Sequence, residues 1–343
     1  MLEIGAHQLE VAETLIGVGR FLVIFVAARL LAELLVRLQL PTILGELIAG
    51  VIIGASGLHL IVPPDTQAAV SQGLLQLVGS LADIRPDAVA QIYAESFPSL
   101  QTVAGLGLFA LLFLTGLESD LDELVAVGAQ ATTVAVAGVA LPFALGTAGL
   151  MALFHVEVIP AVFAGASMTA TSIGITASVF GELKMLRSRE GQIVIGAAVL
   201  DDILGIVILA VVVSLAGGGS LAIGPILKLV VAAVVFVVAA IGLSRTAAPA
   251  FDWLIDRLKA PGDVAVASFV VLTLCCFAAT AIGLEAALGA FAAGLILSKS
   301  SHSHAIEAAV KPVVALFATI FFVLIGTGMD LSVLNPLDPA NRP

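Results

Sequence analysis

The chain has 343 residues, of which 60% are hydrophobic and only 11% are charged, and its formal net charge is −11. Soluble domains are about 45–50% apolar and about 25% charged, so this composition indicates an integral membrane protein. The apolar runs are continuous rather than alternating, which predicts helices and argues against a β-barrel. The acidic balance and the absence of a basic block argue against a nucleic-acid partner.

Ten apolar segments are predicted to cross the bilayer, each with some tilt or kink. They cover residues 12–36, 41–57, 99–118, 125–154, 158–182, 190–215, 221–244, 264–283, 285–299 and 306–329. The chain is therefore predicted to be an all-α, polytopic, multi-pass membrane protein whose residues 1–343 form one transmembrane domain. Two amphipathic pieces, 67–82 and 246–260, are expected at the membrane interface, the second as a linker between two halves.

The basic residues between the spans predict the orientation of the chain. They concentrate after spans one, five, seven and nine, at Arg29, Arg37, Lys184, Arg187, Arg189, Arg245, Arg257, Lys259, Lys299 and Lys311. The positive-inside rule then places these turns in the cytoplasm and the N-terminus outside. The acidic loop Ser119–Glu123 falls on the same side, but acidic residues weigh little in this rule.

Two adjacent carboxylates, Asp201 and Asp202, lie near the middle of the sixth span. A charged side chain at this depth costs at least ~2.5–3.5 kcal/mol, and such residues usually mark an ion path or a proton relay. The alternative is that each aspartate pairs with a buried base and only holds helices together. Desolvation and a like-charged neighbour both disfavour the charged form, so a proton and a cation can compete for such a site.

The span before the aspartates has a polar and flexible centre, Thr169-Ala-Thr-Ser172, followed by Gly174. Serine and threonine can hydrogen-bond to their own backbone, and glycine weakens a helix. The pattern therefore predicts an interrupted helix at the membrane midplane, where freed carbonyl groups face an ion. The alternative is a helix–helix contact made by small residues.

Several motifs together resemble the monovalent cation:proton antiporter family, in the branch of bacterial Na⁺/H⁺ exchangers and glutathione-gated K⁺ efflux systems. They follow one another between residues 41 and 331, in the family's order. The two most specific are Thr169–Ala177 and Gly196–Gly205, and the supporting ones are Pro41–Gly50, Phe113–Glu118, Leu288–Gly294 and Phe321–Gly326.

The resemblance implies that Asp202 is the essential ion- and proton-binding carboxylate, with Asp201 as its neighbour in the site for a monovalent metal cation. Thr169, Thr171 and Ser172 on the interrupted helix are expected to contribute to this site. The Asp-Asp form favours Na⁺, with K⁺ or Li⁺ as the alternatives. Na⁺ or K⁺ and H⁺ are then the substrates of a secondary transporter that works by alternating access. Neither a cofactor nor a catalytic residue is expected, and the protein is not predicted to be an enzyme.

The family fold is a pair of inverted repeats, each with one broken helix, whereas this sequence shows one such helix. Relatives continue with about three more helices, which carry a membrane-embedded lysine and the second broken helix. We therefore expect an incomplete second repeat, and an inactive or regulatory membrane fragment is an alternative function. The resemblance also implies a homodimer in the lipid of a bacterial inner membrane.

Other polar residues leave weaker hypotheses. Glu46 either lines a cytoplasmic funnel or pairs structurally, and Glu285 is expected only to mark the start of span nine. His302 and His304 are interpreted as exposed loop residues rather than metal ligands. An intramembrane aspartyl protease needs two carboxylates that face each other. Neighbouring residues on one helix point about 100° apart, so the aspartate pair does not favour that function.

Overall fold

The computed structural model describes residues 5–66, 68–216, 223–260 and 262–331, and all regular elements in these ranges are helices. In chain order they are α1 (Ala6–Arg37), α2 (Thr42–Ile53), α3 (Gln72–Ala82), α4 (Pro86–Glu95), α5 (Phe97–Glu118), α6 (Leu121–Ala126), α7 (Gly128–Phe154), α8 (Val158–Ser167), α9 (Ile173–Glu182), α10 (Arg189–Ala216), α11 (Ile223–Ile255), α12 (Asp263–Ala281), α13 (Ala286–Leu297) and α14 (Ser303–Thr327).

The all-α, polytopic architecture is confirmed. Within the described ranges, six helices are long and apolar enough to cross a membrane. Four apolar helices are shorter, namely α2, α8, α9 and α13, at 10–12 residues each. A helix of 12 residues is about 18 Å long at a rise of about 1.5 Å per residue, so these four cannot each cross a hydrocarbon layer about 30 Å thick.

The chain divides into two compact units, one formed by residues 1–108 and 313–343 and the other by residues 109–312. In the first unit, α1 packs against α2, α3 and α4. The helix predicted within 67–82 is present as α3, and its apolar face, with Leu75 and Val78, is buried in the core of this unit. The predicted interfacial segment is therefore packed against other helices along that face.

A buried arginine ties α1 to α4 in the first unit. Arg20 donates to the backbone carbonyl of Tyr93 and, at 2.9 Å, to Ser96 Oγ, and its guanidinium lies 3.8 Å from the centre of the Tyr93 ring. Only 5% of Arg20 is exposed. The charge is thus held by hydrogen bonds and an aromatic face, which is how a buried cation can be tolerated.

In the second unit, α10 packs against α7, α8, α9 and α11, and α13 packs against α11 and α12. Every residue of α13 from Ala287 to Leu297 is buried. Two glycines allow α13 and α5 to cross closely. A Cβ on Gly294 would lie 1.9 Å from the carbonyl oxygen of Phe113, and one on Gly116 would lie 2.2 Å from that of Phe291.

Helix α11 is longer than predicted. It continues through Pro249 to Ile255, where Phe251 and Ile255 are buried. The segment predicted as an interfacial linker, 246–260, is therefore helical as far as Ile255 and continuous with the preceding span. Proline removes one backbone hydrogen bond from a helix, but the packing of buried apolar residues on both sides of it keeps the helix continuous.

Candidate functional site

The fifth predicted span is a broken helix. Helix α8 ends at Ser167 and α9 begins at Ile173, and the five residues between them are not helical. This confirms the interruption predicted from the composition of the Thr169–Ser172 stretch. Both half-helices have ten residues, which corresponds to about 15 Å each, so the break lies about half-way along the span.

The side chains of the break bond to the break itself. Thr169 is buried, and its hydroxyl donates to the carbonyl oxygen of Ala166 at 2.8 Å. The hydroxyl of Thr171, an exposed residue, donates weakly to the Thr169 carbonyl at 3.4 Å. Ser172 caps α9, where its hydroxyl oxygen accepts from the amide of Ile175 at 3.4 Å. These bonds compete with helical ones, as expected for serine and threonine.

Three backbone carbonyl oxygens of the break have no such partner. Within the described ranges, no hydrogen-bond donor reaches the carbonyls of Met168, Ala170 or Thr171. An unsatisfied backbone group costs several kcal/mol in hydrocarbon, so irregular backbone at this depth is tolerated only where it faces protein or water. These oxygens are available to a visiting ion.

Helix α7 supports the first half of the broken helix. Gly165 of α8 lies so close to α7 that a Cβ there would be 2.1 Å from Thr147 Oγ1 and 2.9 Å from the Phe143 carbonyl oxygen. The Thr147 hydroxyl is buried and has no hydrogen-bond partner among the described residues. The glycine therefore sets the distance between α8 and α7 and fixes the end of α8 that leads into the break.

Helix α10 carries the aspartate pair and contacts both half-helices. Asp201 is 8% exposed, and Asp202 is half-buried. Neither carboxylate forms an ion pair or a hydrogen bond with any side chain that the structure describes. The alternative in which each aspartate pairs with a buried base is therefore unsupported in these ranges.

A third acidic residue lies near Asp202. Glu285, which was predicted only to mark the start of a span, precedes α13 and interacts electrostatically with Asp202, as does Asp201. The sequence alone does not predict where Glu285 lies relative to Asp202, because that position depends on the length and packing of α13. In the described ranges no three or more His, Cys, Asp or Glu side chains are close enough together to hold a metal ion between them.

A polar cavity of about 630 Å³ is open along the second half of the broken helix. Ala177, Ser178 and Gly181 of α9 line it, together with charged residues from α5, α9, α14 and the turn after α9. The charged lining residues are Glu118, Glu182, Lys184, Arg187, His304, Glu307 and Lys311. The aspartate pair and the break are not part of the described lining. The cavity therefore places charged side chains along α9 at one end of the second unit.

The charged side chains around this cavity and beside it form hydrogen bonds and ion pairs. Arg187 Nε donates to the Glu118 carbonyl oxygen at 3.0 Å, and Lys311 Nζ lies 3.7 Å from the Glu118 carboxylate and bonds to Glu307. Lys299 Nζ donates to Asp122 at 2.7 Å. The hydrogen bond and charge of Lys299 lower the pKa of the exposed Asp122 carboxyl below its ordinary value.

A second charge network holds the turn between α13 and α14. The Asp252 carboxylate accepts from the Ser301 amide at 3.0 Å and from the Ser301 hydroxyl at 2.8 Å. His302 lies 3.3 Å from Asp252 and 3.5 Å from Asp256, and its side chain is 26% exposed. His302 lies in a turn, as predicted, but its side chain is only partly exposed because α11 extends far enough to contact it. We call these two networks together the charged end of the second unit.

Glu46 belongs to the first unit, where its carboxylate accepts a hydrogen bond from Thr319 Oγ1 at 2.7 Å. Glu46 was predicted either to line a cytoplasmic funnel or to pair structurally, and the bond with Thr319 favours structural pairing. Thr319 lies in α14, and its hydroxyl is also 3.1 Å from the carbonyl oxygen of Ala315 in the same helix. The hydroxyl therefore links Glu46 to α14.

Comparison with known proteins identifies the family. Residues 21–341 match the family described as sodium/hydrogen exchanger, transmembrane. The chain is 46% identical over 321 residues to the high-affinity Na⁺/H⁺ antiporter NhaS3 of Synechocystis, and this match covers 93% of the chain and 70% of the relative. It is 29% identical over 305 residues to the Na⁺/H⁺-K⁺ antiporter GerN of Bacillus cereus, which covers 88% of the chain and 69% of the relative.

The fold is also found in a solved structure. The sodium proton antiporter MjNhaP1 from Methanocaldococcus jannaschii superposes with a TM-score of 0.61 at 16% identity, over 94% of this chain and 72% of that one. This likeness concerns the fold alone. Together with the matched family and the relative at 46% identity, it leads to one conclusion: the chain belongs to the sodium/hydrogen exchanger family of transmembrane proteins.

Proposed function

We propose that the chain is a secondary transporter that exchanges a monovalent cation for protons by alternating access, with Asp202 as the shared binding group. The observation that carries the proposal is a helix with two mid-span carboxylates, packed against both halves of a broken helix that has unbonded carbonyl oxygens. Membrane transporters use such interrupted helices to present backbone oxygens to an ion at the midplane.

The two aspartates differ in access, which supports different roles. Successive helical positions point about 100° apart. Asp201 is the more enclosed of the two, whereas Asp202 is half-buried and more open to an arriving ion. We assign cation and proton binding to Asp202 and a supporting role to Asp201. Carboxylate, hydroxyl and carbonyl oxygens are hard ligands of the kind that Na⁺ prefers.

Exchange follows from competition for one carboxylate. When a cation binds, its charge balances that of Asp202; when the cation leaves, a proton neutralises the same group. A bare carboxylate is costly in the membrane interior, so the site changes access far more readily when one of the two ligands is bound. Thr169, Thr171 and Ser172 hold the shape of the break in this scheme, and the free carbonyls beside them complete the coordination.

Sodium is the proposed cation. The relative at 46% identity is named a Na⁺/H⁺ antiporter, and GerN is named for both Na⁺ and K⁺, so K⁺ is the alternative substrate to test.

We further propose a homodimer in a bacterial inner membrane with the N-terminus outside. The charged end supports this orientation, because Lys299 and Lys311, both assigned to the cytoplasmic side, lie there beside Asp122 and Glu118.

The decisive experiment is cation-dependent proton flux in everted membrane vesicles. Addition of Na⁺ to vesicles with the wild-type chain should dequench a pH-sensitive dye, and Asp202→Asn should abolish the response. Asp87→Asn, which changes an exposed acid in the first turn of α4, is the matched control and should behave as wild type. Normal flux in a well-expressed Asp202→Asn variant would refute the assignment.

The same assay addresses the other functions. A folded wild-type chain that gives no flux with Na⁺, K⁺ or Li⁺ would favour an inactive or regulatory membrane protein. The intramembrane aspartyl protease is not favoured, since the pair lies on one helix and the relatives are antiporters.

A further inference from the structure

Glu285 and Asp202 lie at the same depth in the second unit. Helix α10 starts at Arg189 and α13 ends at Leu297, both beside the charged end, where Arg187 contacts Glu118 and Lys299 contacts Asp122. Asp202 is thirteen residues from the start of α10, or about 20 Å, and Glu285 is twelve residues from the end of α13, or about 18 Å. Counted from the helix ends beside the charged end, both carboxylates are therefore well inside a hydrocarbon layer about 30 Å thick.

Side-chain packing brings the start of α13 to the same part of α10. Leu284 and Leu288 belong to a buried cluster against which Val199 and Ile203 pack. Val199 and Ile203 flank Asp202 along α10, and Leu284 is the residue before Glu285. The backbone that carries Glu285 is thus fixed next to the turn of α10 that carries Asp202.

Among the described residues, the Glu285 side chain makes no contact that would explain it as a structural residue. It stands at the N-cap of α13 but makes no capping hydrogen bond, and it takes part in no ion pair there. The residue is exposed, which leaves its carboxylate open to water. It is close enough to Asp202 for the two carboxylates to interact electrostatically.

We infer that Glu285 is a positioning residue for the ion site: its negative charge draws the cation to Asp202 and sets the apparent affinity without binding the ion itself. The inference rests on the proposed function. At an effective dielectric constant of about 20, a unit charge about 12 Å away changes cation affinity by roughly tenfold. The competing explanation is that an acidic residue at a helix N-terminus only stabilises the helix.

The test compares Glu285→Gln with Glu157→Gln in Na⁺-dependent proton flux at constant ionic strength. Glu157 is a close match, because it too is an exposed N-cap residue, of α8, without a capping hydrogen bond. We expect Glu285→Gln to raise the half-saturating Na⁺ concentration about tenfold with a maximal rate within twofold of wild type. Glu157→Gln should leave both unchanged, and Glu285→Asp, which keeps the charge, should restore most of the affinity.

Glu285→Ser separates charge from helix stability, since serine is a preferred N-cap residue and should support folding. It should still raise the half-saturating concentration. Unchanged half-saturation in folded Glu285→Gln or Glu285→Ser would overturn the inference, even if Asp202→Asn abolishes flux as proposed. Normal flux in Asp202→Asn, or no flux in the wild type, would instead overturn the proposed function and this inference with it.

Discussion

The crossing of α5 and α13 can be tested with a single methyl group. Gly294→Ala would place a Cβ 1.9 Å from the Phe113 carbonyl oxygen and 2.7 Å from the Leu117 amide nitrogen. Ordinary contacts begin at 3.4 Å, so the two backbones would have to separate by the difference between 3.4 and 1.9 Å, about 1.5 Å. Both near atoms are backbone atoms of a helix, which cannot rotate away as a flexible side chain could.

The expected cost is the balance of two effects. Overpacking a well-filled core usually costs about 1–3 kcal/mol, and a backbone-to-backbone clash belongs at the upper end of that range. Alanine is preferred over glycine inside a helix by about 0.5–1 kcal/mol, which offsets a part of it. We therefore expect Gly294→Ala to lower the free energy of unfolding by about 2 kcal/mol, or the melting temperature by about 3 °C.

The assay is thermal unfolding of the detergent-solubilised chain, followed by size-exclusion chromatography. Gly138→Ala in α7 is the control, because nothing lies within 4 Å of its Cβ position. The control should be neutral or slightly stabilising. If Gly294→Ala melts at or above the temperature of Gly138→Ala, α5 and α13 do not cross as closely as described.

Three further predictions concern the polar contacts. Arg20→Ala should cost about 2–3 kcal/mol by leaving the Tyr93 carbonyl unsatisfied, and Arg20→Lys should cost less; equal melting temperatures for all three proteins would contradict this. Asp252→Asn should raise deuterium uptake in the turn at 298–303 but not in α7, since a neutral amide accepts fewer and weaker hydrogen bonds. Because Lys299 lowers the pKa of Asp122, their pairing is present above the ordinary pKa of 3.8 and is lost as the pH falls through the lowered value. In Lys299→Gln the Asp122 pKa, read by carboxyl NMR, should rise towards that value with no measurable change in stability, because the pair is exposed; an unmoved pKa would show that Lys299 is not its cause.

The broken helix could be predicted because its cause is local. Serine and threonine hydroxyls bond to nearby backbone carbonyls, as Thr169 and Thr171 do, and these preferences are properties of the residues themselves. The aspartate pair stands out for a similar reason, since two charges within an apolar run are visible without any knowledge of packing. The role of both remains a prediction until the flux experiment is done.

The missed features depend on packing between distant segments. The polar stretch after residue 244 looks like the end of a span, yet buried residues such as Phe251 keep α11 helical to Ile255. That extra length brings Asp252 to His302, a contact across fifty residues. Glu285 precedes α13 as predicted, but the sequence does not show that the start of this helix packs against the turn of α10 that carries Asp202.

The shortness of α13 has a consequence for the membrane voltage. Its first amides lack a side-chain cap among the described residues, and hydrocarbon offers them no hydrogen bonds, so we expect water to enter the bilayer as far as the turn before Ala286. The electric field then falls mainly across the remaining low-dielectric layer rather than across the full thickness. A cation charge that crosses this thin layer experiences most of the ~2.3 kcal/mol available per 100 mV. A net charge moved in each exchange cycle would therefore be driven by the membrane potential over a distance far shorter than the bilayer itself.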